Sequence, residues 1–131
     1  MKLKKVVTIF GAGSWGTAIA KNISENGYRV RIWAKEKNVV DSIIKKRENK
    51  IFLPGVKLPS TIYPTNSLDK NLFDSDFLIF SIPTQFIRES LLLMKEMISK
   101  DSILINTTKG NEQSSMKPIY SIIKQIHPRD S

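Results

Sequence analysis

Gly11, Gly13 and Gly16 stand two and three residues apart in the stretch GAGSWG, directly behind the apolar run Val6-Val7-Thr8-Ile9-Phe10. Glycine carries an entropic cost in any ordered segment, so three at this spacing need a geometric reason. A backbone without Cβ atoms at the start of a helix lets an anion come within hydrogen-bond range. There the free N–H groups and the positive end of the helix dipole attract it. The spacing G-x-G-x-x-G, after a strand and before a helix, is that of a dinucleotide-binding turn. In that arrangement Gly11 permits the tight exit from the strand, Gly13 leaves room for a diphosphate, and Gly16 lets the helix lie close to the sheet. A Walker A loop is excluded, because Thr17 follows Gly16 where a lysine is required.

A second position bears on the ligand. Sites that take NAD place an acid at the end of the second strand, where it holds the ribose 2′-hydroxyl. Here that strand ends at Trp33-Ala34-Lys35-Glu36. Ala34 offers no carboxylate, and Glu36 is expected to start the next helix and point away. Lys35 suits a 2′-phosphate. The expected cofactor is NADP(H), ahead of NAD(H).

Elements that would position these residues follow from the apolar pattern. Val6–Phe10 has the length and β-branched content of a buried strand. Gly16, Ile19, Ala20 and Ile23 share one helical face, and Asn26-Gly27 supplies the stop. A strand over 28–33 and a helix over 38–46 follow, the latter with Val39, Val40, Ile43 and Ile44 inward. Residues 49–59 hold two prolines and a glycine, which forbids regular helix and leaves a loop with apolar anchors. A short strand at 62–63 precedes Ser67, the expected N-cap of a brief helix to Phe73. The run 77–82 reads as a central strand, 84–99 as a helix with Ile87, Leu91, Met94 and Ile98 on its stripe, and 103–105 as a further strand. Residues 116–126 read as a last helix. Alternating strands and helices predict an α/β fold with a doubly wound, mostly parallel, Rossmann-like sheet, in one domain over residues 1–131.

Composition narrows the function. At 40% hydrophobic and 25% charged residues, the chain can bury a core of its own. Without cysteine it can form neither disulfides nor a Cys-based zinc site, and no metal site is expected. Behind Met1-Lys2-Leu3-Lys4-Lys5 the apolar run is too short for a signal peptide. No run approaches the roughly 18 apolar residues of a membrane span, so a cytoplasmic protein is expected. Residues 1–60 carry 13 Lys or Arg against 4 Asp or Glu, and residues 61–131 carry 8 of each, so the whole excess of +9 lies in the first half. A phosphate-bearing cofactor, nucleic acid, or simply lysine-rich solvated faces account for such a bias. No aromatic platform is interleaved with Lys35, Lys37, Lys45, Lys46, Arg47 and Lys50, so nucleic acid is not the expected partner.

Four stretches together resemble the N-terminal domain of bacterial-type NAD(P)-dependent sn-glycerol-3-phosphate dehydrogenases: GAGSWGTAIA at 11–20, ENKIFLPGVKLP at 48–59, SIPTQFIRESL at 81–91 and TTKG at 107–110. The resemblance implies that Ser14 and Trp15 border the cofactor at the phosphate turn. It sets Lys35 where bacterial members carry a basic residue for the 2′-phosphate, and Phe86 on the nicotinamide side. Lys109 matches a lysine that contacts the cofactor and the substrate phosphate or hydroxyls. The implied reaction moves a hydride to C2 of dihydroxyacetone phosphate and gives sn-glycerol 3-phosphate for phospholipid synthesis. Asn106, Thr107 and Thr84 depart from the usual residues without changing charge. In the family a helical domain carrying the general-base lysine follows, so no catalytic residue is expected in this chain. His127, the sole histidine, is not expected to serve as an acid. The 131 residues by themselves should bind nucleotide without turnover, and a homodimer is left open for the full-length protein. Two alternatives stand beside this: an NAD(P)-sensing module without chemistry, and the cofactor domain of another two-domain 2-keto/2-hydroxy dehydrogenase.

Overall fold

Val6–Phe10 forms β1, the central strand of a five-stranded sheet in a computed structural model that describes residues 5–99 and 102–107. The order along the chain is β1, α1 (Ser14–Glu25), β2 (Arg29–Trp33), α2 (Lys37–Lys46), β3 (Ile62–Thr65), β4 (Phe77–Phe80), α3 (Ile87–Met94) and β5 (Ile103–Asn106). Single 3₁₀ turns at Lys70–Phe73 and Thr84–Phe86 precede β4 and α3. In space the strands run β3-β2-β1-β4-β5, and every pairing is parallel. From β1 the chain winds outward through β2 to β3, then crosses back to β4 on the other side of β1. In an open α/β sheet this reversal opens a crevice beyond the carboxyl ends of the two strands.

Both faces of the sheet are covered at the central strands β1 and β4, which is why those two are apolar on both sides. Val7 and Ile9 pack with Ala20 of α1, Val39 and Ile43 of α2, and Ile62. Phe10 points the other way, into a cluster with Phe80, Ile87, Leu91 and Met94. Its ring stacks on Phe80 at 5.1 Å between centroids. Pro64 lies within β3, where an edge position makes the missing N–H harmless.

Thr8 is the polar exception in β1. Its buried hydroxyl lies 2.6 Å from the Leu72 carbonyl and 2.6 Å from Ser75 Oγ, tying the 3₁₀ turn before β4 to the sheet. Thr8→Val keeps the shape and removes that donor. The expected cost is about 1–3 kcal/mol, seen as a lower urea midpoint with an unchanged slope; an unchanged midpoint would show that the hydroxyl contributes nothing there.

The expected elements differ from the observed ones in several places, beyond β3 and β5 running on to Thr65 and Asn106. Ser67 is not a cap. The cap is Asp69, whose carboxylate accepts from the Asn71 N–H at 2.8 Å, and the helix it opens is only one 3₁₀ turn. Ile44 is 57% exposed, because a stripe through Val39, Val40 and Ile43 already fills the contact with the sheet. β4 ends at Phe80; the Ser81 N–H still donates to the Phe10 carbonyl as a last rung, and Ser81 and Ile82 turn out of the strand to line the crevice. The helix expected over 84–99 is a 3₁₀ turn followed by α3, which stops at Met94 although Ile98 stays buried. The expected helix at 116–126, Lys109 and His127 lie outside the described residues.

Candidate functional site

The carboxyl ends of β1, β2 and β4 surround a cleft of about 740 Å³, within the range of small-molecule sites. Its floor is the glycine turn. Gly11 takes φ +117, a backbone state that L side chains rarely adopt, and its N–H donates to the Trp33 carbonyl at 2.8 Å. A Cβ added at Gly11 would sit 2.7 Å from the Ser81 carbonyl carbon and closer still to its oxygen. Gly11 therefore serves close strand approach as well as the turn. Gly16 is equally confined: its Cβ would come within 3.1 Å of the Gly11 carbonyl carbon and 3.3 Å of Ser81 Cβ. Gly13 is the opposite case. Its φ of −74 is ordinary, and an added Cβ would meet nothing within 4 Å. Its missing side chain leaves open space on the cleft side rather than relieving a clash within the protein.

That open space faces the start of α1. The first amide to bond within α1 is that of Thr17, donating to the Gly13 carbonyl at 3.0 Å. The amides before it in the first turn have no acceptor inside the helix. No side chain caps this end, and no acid lies in the first turn to offset the dipole. A diphosphate needs donors, positive potential and room, and residues 13–16 supply all three.

The rest of the wall comes from the ends of other elements. Trp15, 53% exposed, stands on the first turn of α1. Lys35 and Glu36 follow β2; Ser81, Pro83 and Phe86 follow β4; Thr107 follows β5. Thr107 is fixed by its N–H and its hydroxyl, which both donate to the Phe80 carbonyl at 3.0 and 3.1 Å. Lys35 and Phe86, assigned by resemblance to different ends of a cofactor, meet across the mouth. The ammonium lies 5.7 Å from the centre of the ring, since the long lysine stem reaches over.

Seven of the eight expected site residues therefore converge: Gly11, Gly13, Ser14, Trp15, Gly16, Lys35 and Phe86 all line this cleft. Glu36 stands closer to the cleft than the sequence suggests. It caps the N-terminus of α2 by position, as anticipated, yet it also lines the cleft. Residues 49–53 are the larger omission. Asn49 is fully buried, and its amide donates to the Ala12 carbonyl at 2.8 Å and to Thr17 Oγ1 at 2.9 Å. Its Oδ1 accepts from the Phe52 N–H at 3.1 Å, so Phe52 and Leu53 become cleft wall. The signal in the sequence was an asparagine, a former of side-chain turns, set ahead of an Ile-Phe-Leu-Pro-Gly run. Among the described residues there is no cluster of three His, Cys, Asp or Glu side chains that could hold a metal ion. Nor is any described helix long and apolar enough to cross a membrane.

Comparison with known proteins agrees with this geometry. A family model described as the N-terminus of NAD-dependent glycerol-3-phosphate dehydrogenase matches residues 6–131. A glycerol-3-phosphate dehydrogenase (NAD(P)+) of Bacillus thuringiensis (strain Al Hakam) is 40% identical over 124 residues, which is 95% of this chain and 36% of the relative. The solved glycerol-3-phosphate dehydrogenase of Coxiella burnetii superposes with a TM-score of 0.83 at 27% identity, over 92% of this chain and 37% of that one. The Saccharomyces cerevisiae enzyme gives 0.80 at 29% identity, over 92% and 38%. The chain spans a little over a third of the length of these relatives.

Proposed function

The chain belongs to the family of the NAD-dependent glycerol-3-phosphate dehydrogenase N-terminus, and on that premise we propose that it is the cofactor-binding part of an enzyme interconverting dihydroxyacetone phosphate and sn-glycerol 3-phosphate. The observation that carries the reading is the uncapped start of α1 meeting bare Gly13 backbone at the β1/β4 crevice. A nicotinamide dinucleotide bound there supplies hydride chemistry. The residues of the chain bind and orient. The amides of residues 13–16 take the diphosphate, and Lys35 takes the 2′-phosphate. Trp15, Phe52 and Phe86 cover the cleft and keep water from the rings.

NADP(H) is the favoured cofactor, with NAD(H) also accepted. Glu36, a residue of the cleft rim, is the observation on the side of NAD(H), since an acid after the second strand suits a ribose 2′-hydroxyl. Lys109 is proposed, from its resemblance, to hold the substrate phosphate. Proton transfer is assigned to a lysine outside these residues. A cytoplasmic, homodimeric full-length enzyme is the accompanying proposal.

Titration of the chain with NADPH and NADH tests the assignment. Both should bind saturably. Lys35→Ala should weaken NADPH by about tenfold and leave NADH within about twofold, and the NADPH loss should shrink at high salt because a charge pair is screened. Equal losses for both cofactors would remove Lys35 from the 2′-phosphate.

A further inference from the structure

Asn49 lies one layer behind the glycine turn and touches it at the peptide that matters most for an anion. Its carboxamide Nδ2 donates to the Ala12 carbonyl at 2.8 Å and to Thr17 Oγ1 at 2.9 Å, and its Oδ1 accepts from the Phe52 N–H at 3.1 Å. The side chain is fully buried and does not line the cleft. We propose that Asn49 is the positioning residue of the diphosphate site: by holding the Ala12 carbonyl it fixes the Ala12–Gly13 peptide plane with the Gly13 N–H turned to the cleft.

In a trans peptide the C=O and the following N–H point in opposite directions, and no cis bond occurs here. A carbonyl held on a buried donor therefore obliges the Gly13 N–H to face away from that donor, and Gly13 itself lines the cleft. Glycine at 13 has no side chain to restrain that plane. Without the donor, the peptide is free to rotate and present its carbonyl to an anion, which reverses the sign of the interaction. The second hydrogen of the same amide goes to Thr17 Oγ1, and the bond to Ala12 does not depend on it. The bond to Phe52 ties the same group to the cleft wall, so one side chain sets both the floor and the roof.

The inference rests on the cofactor reading above, and the test separates the two. Nitrogen-15 spectra of the 131-residue chain are recorded during titration with NADPH. The Gly13 amide proton should move downfield on saturation, as expected for a new bond to a phosphate oxygen. Asn49→Leu, neutral and close in shape, should weaken NADPH by about tenfold or more and abolish that shift. Asn49→Asp, which keeps an acceptor for Phe52 but offers Ala12 no donor, should do the same. Thr17→Val should leave affinity within about twofold, because the Ala12 bond survives. Unsaturable binding by the unaltered chain would overturn the cofactor reading and this inference with it. Saturable binding with a stationary Gly13 amide would overturn this inference only, and that measurement needs no variant to fold. So would Asn49→Leu binding within twofold of the unaltered chain, or Thr17→Val proving as damaging as Asn49→Leu.

Discussion

Gly11→Ala is expected to lower the melting temperature by about 12 °C or more, with the loss arising in the protein itself and not in its ligand. At φ +117 an L side chain is strained by about 1–3 kcal/mol. The added methyl would also lie 2.7 Å from the Ser81 carbonyl carbon, a backbone group that cannot rotate aside as a side-chain tip can. The remaining way out is to part the turn from the segment after β4. The Ser81 N–H donates to the Phe10 carbonyl at 2.8 Å, so parting them breaks the last rung between β1 and β4. Strain and lost contact together reach about 4 kcal/mol, a large share of the roughly 5–15 kcal/mol that hold a domain folded. At this chain length each kcal/mol moves the midpoint by about 3 °C. Thermal unfolding followed by circular dichroism reads it directly. A midpoint within about 3 °C of the unaltered chain would mean that the approach of the two backbones is not tight.

Gly13→Ala should behave in the reverse way, although the change is chemically identical and only two residues distant. Its φ of −74 suits alanine, and the new methyl meets nothing within 4 Å. Stability should stay within about 1 kcal/mol, the part lost reflecting alanine's poorer fit at a helix N-cap. Affinity for NADPH should fall by about a hundredfold, because the methyl stands where the diphosphate must lie and costs it about two charge-assisted hydrogen bonds. Calorimetric titration beside a melting curve separates the two quantities. Undiminished affinity in a well-folded Gly13→Ala chain would place the diphosphate elsewhere and remove the central support for the proposed function.

These contrasting glycines show where sequence reading succeeds and where it stops. The spacing of Gly11, Gly13 and Gly16 behind an apolar run carries strand, turn and helix together, because all three constraints act within about ten residues of chain. The alternation of apolar runs likewise yields the parallel sheet and its two covered faces. Asn49 is different: its partners Ala12 and Thr17 lie 37 and 32 residues away, and no local pattern announces a contact across such a distance. Ser67 fails for a related reason. Ser67 and Asp69 are both good caps, and the choice fell to the residue whose carboxylate reaches the Asn71 amide. Glu36 starts α2 as its position implies, and the same position sets it at the rim of the cleft, a neighbourhood that only the folded sheet reveals.

The rung between Phe10 and Ser81 spans about half the chain, and synthesis on the ribosome gives that span a direction in time. β1 emerges first and meets β2 soon afterwards, but its other edge stays bare until β4 has left the exit tunnel. An uncovered edge of Val, Thr and Ile is an invitation to stray pairing. A nascent chain that stalls before Ser81 thus carries all three glycines and no crevice, with one edge of β1 open to other strands until its far neighbour arrives.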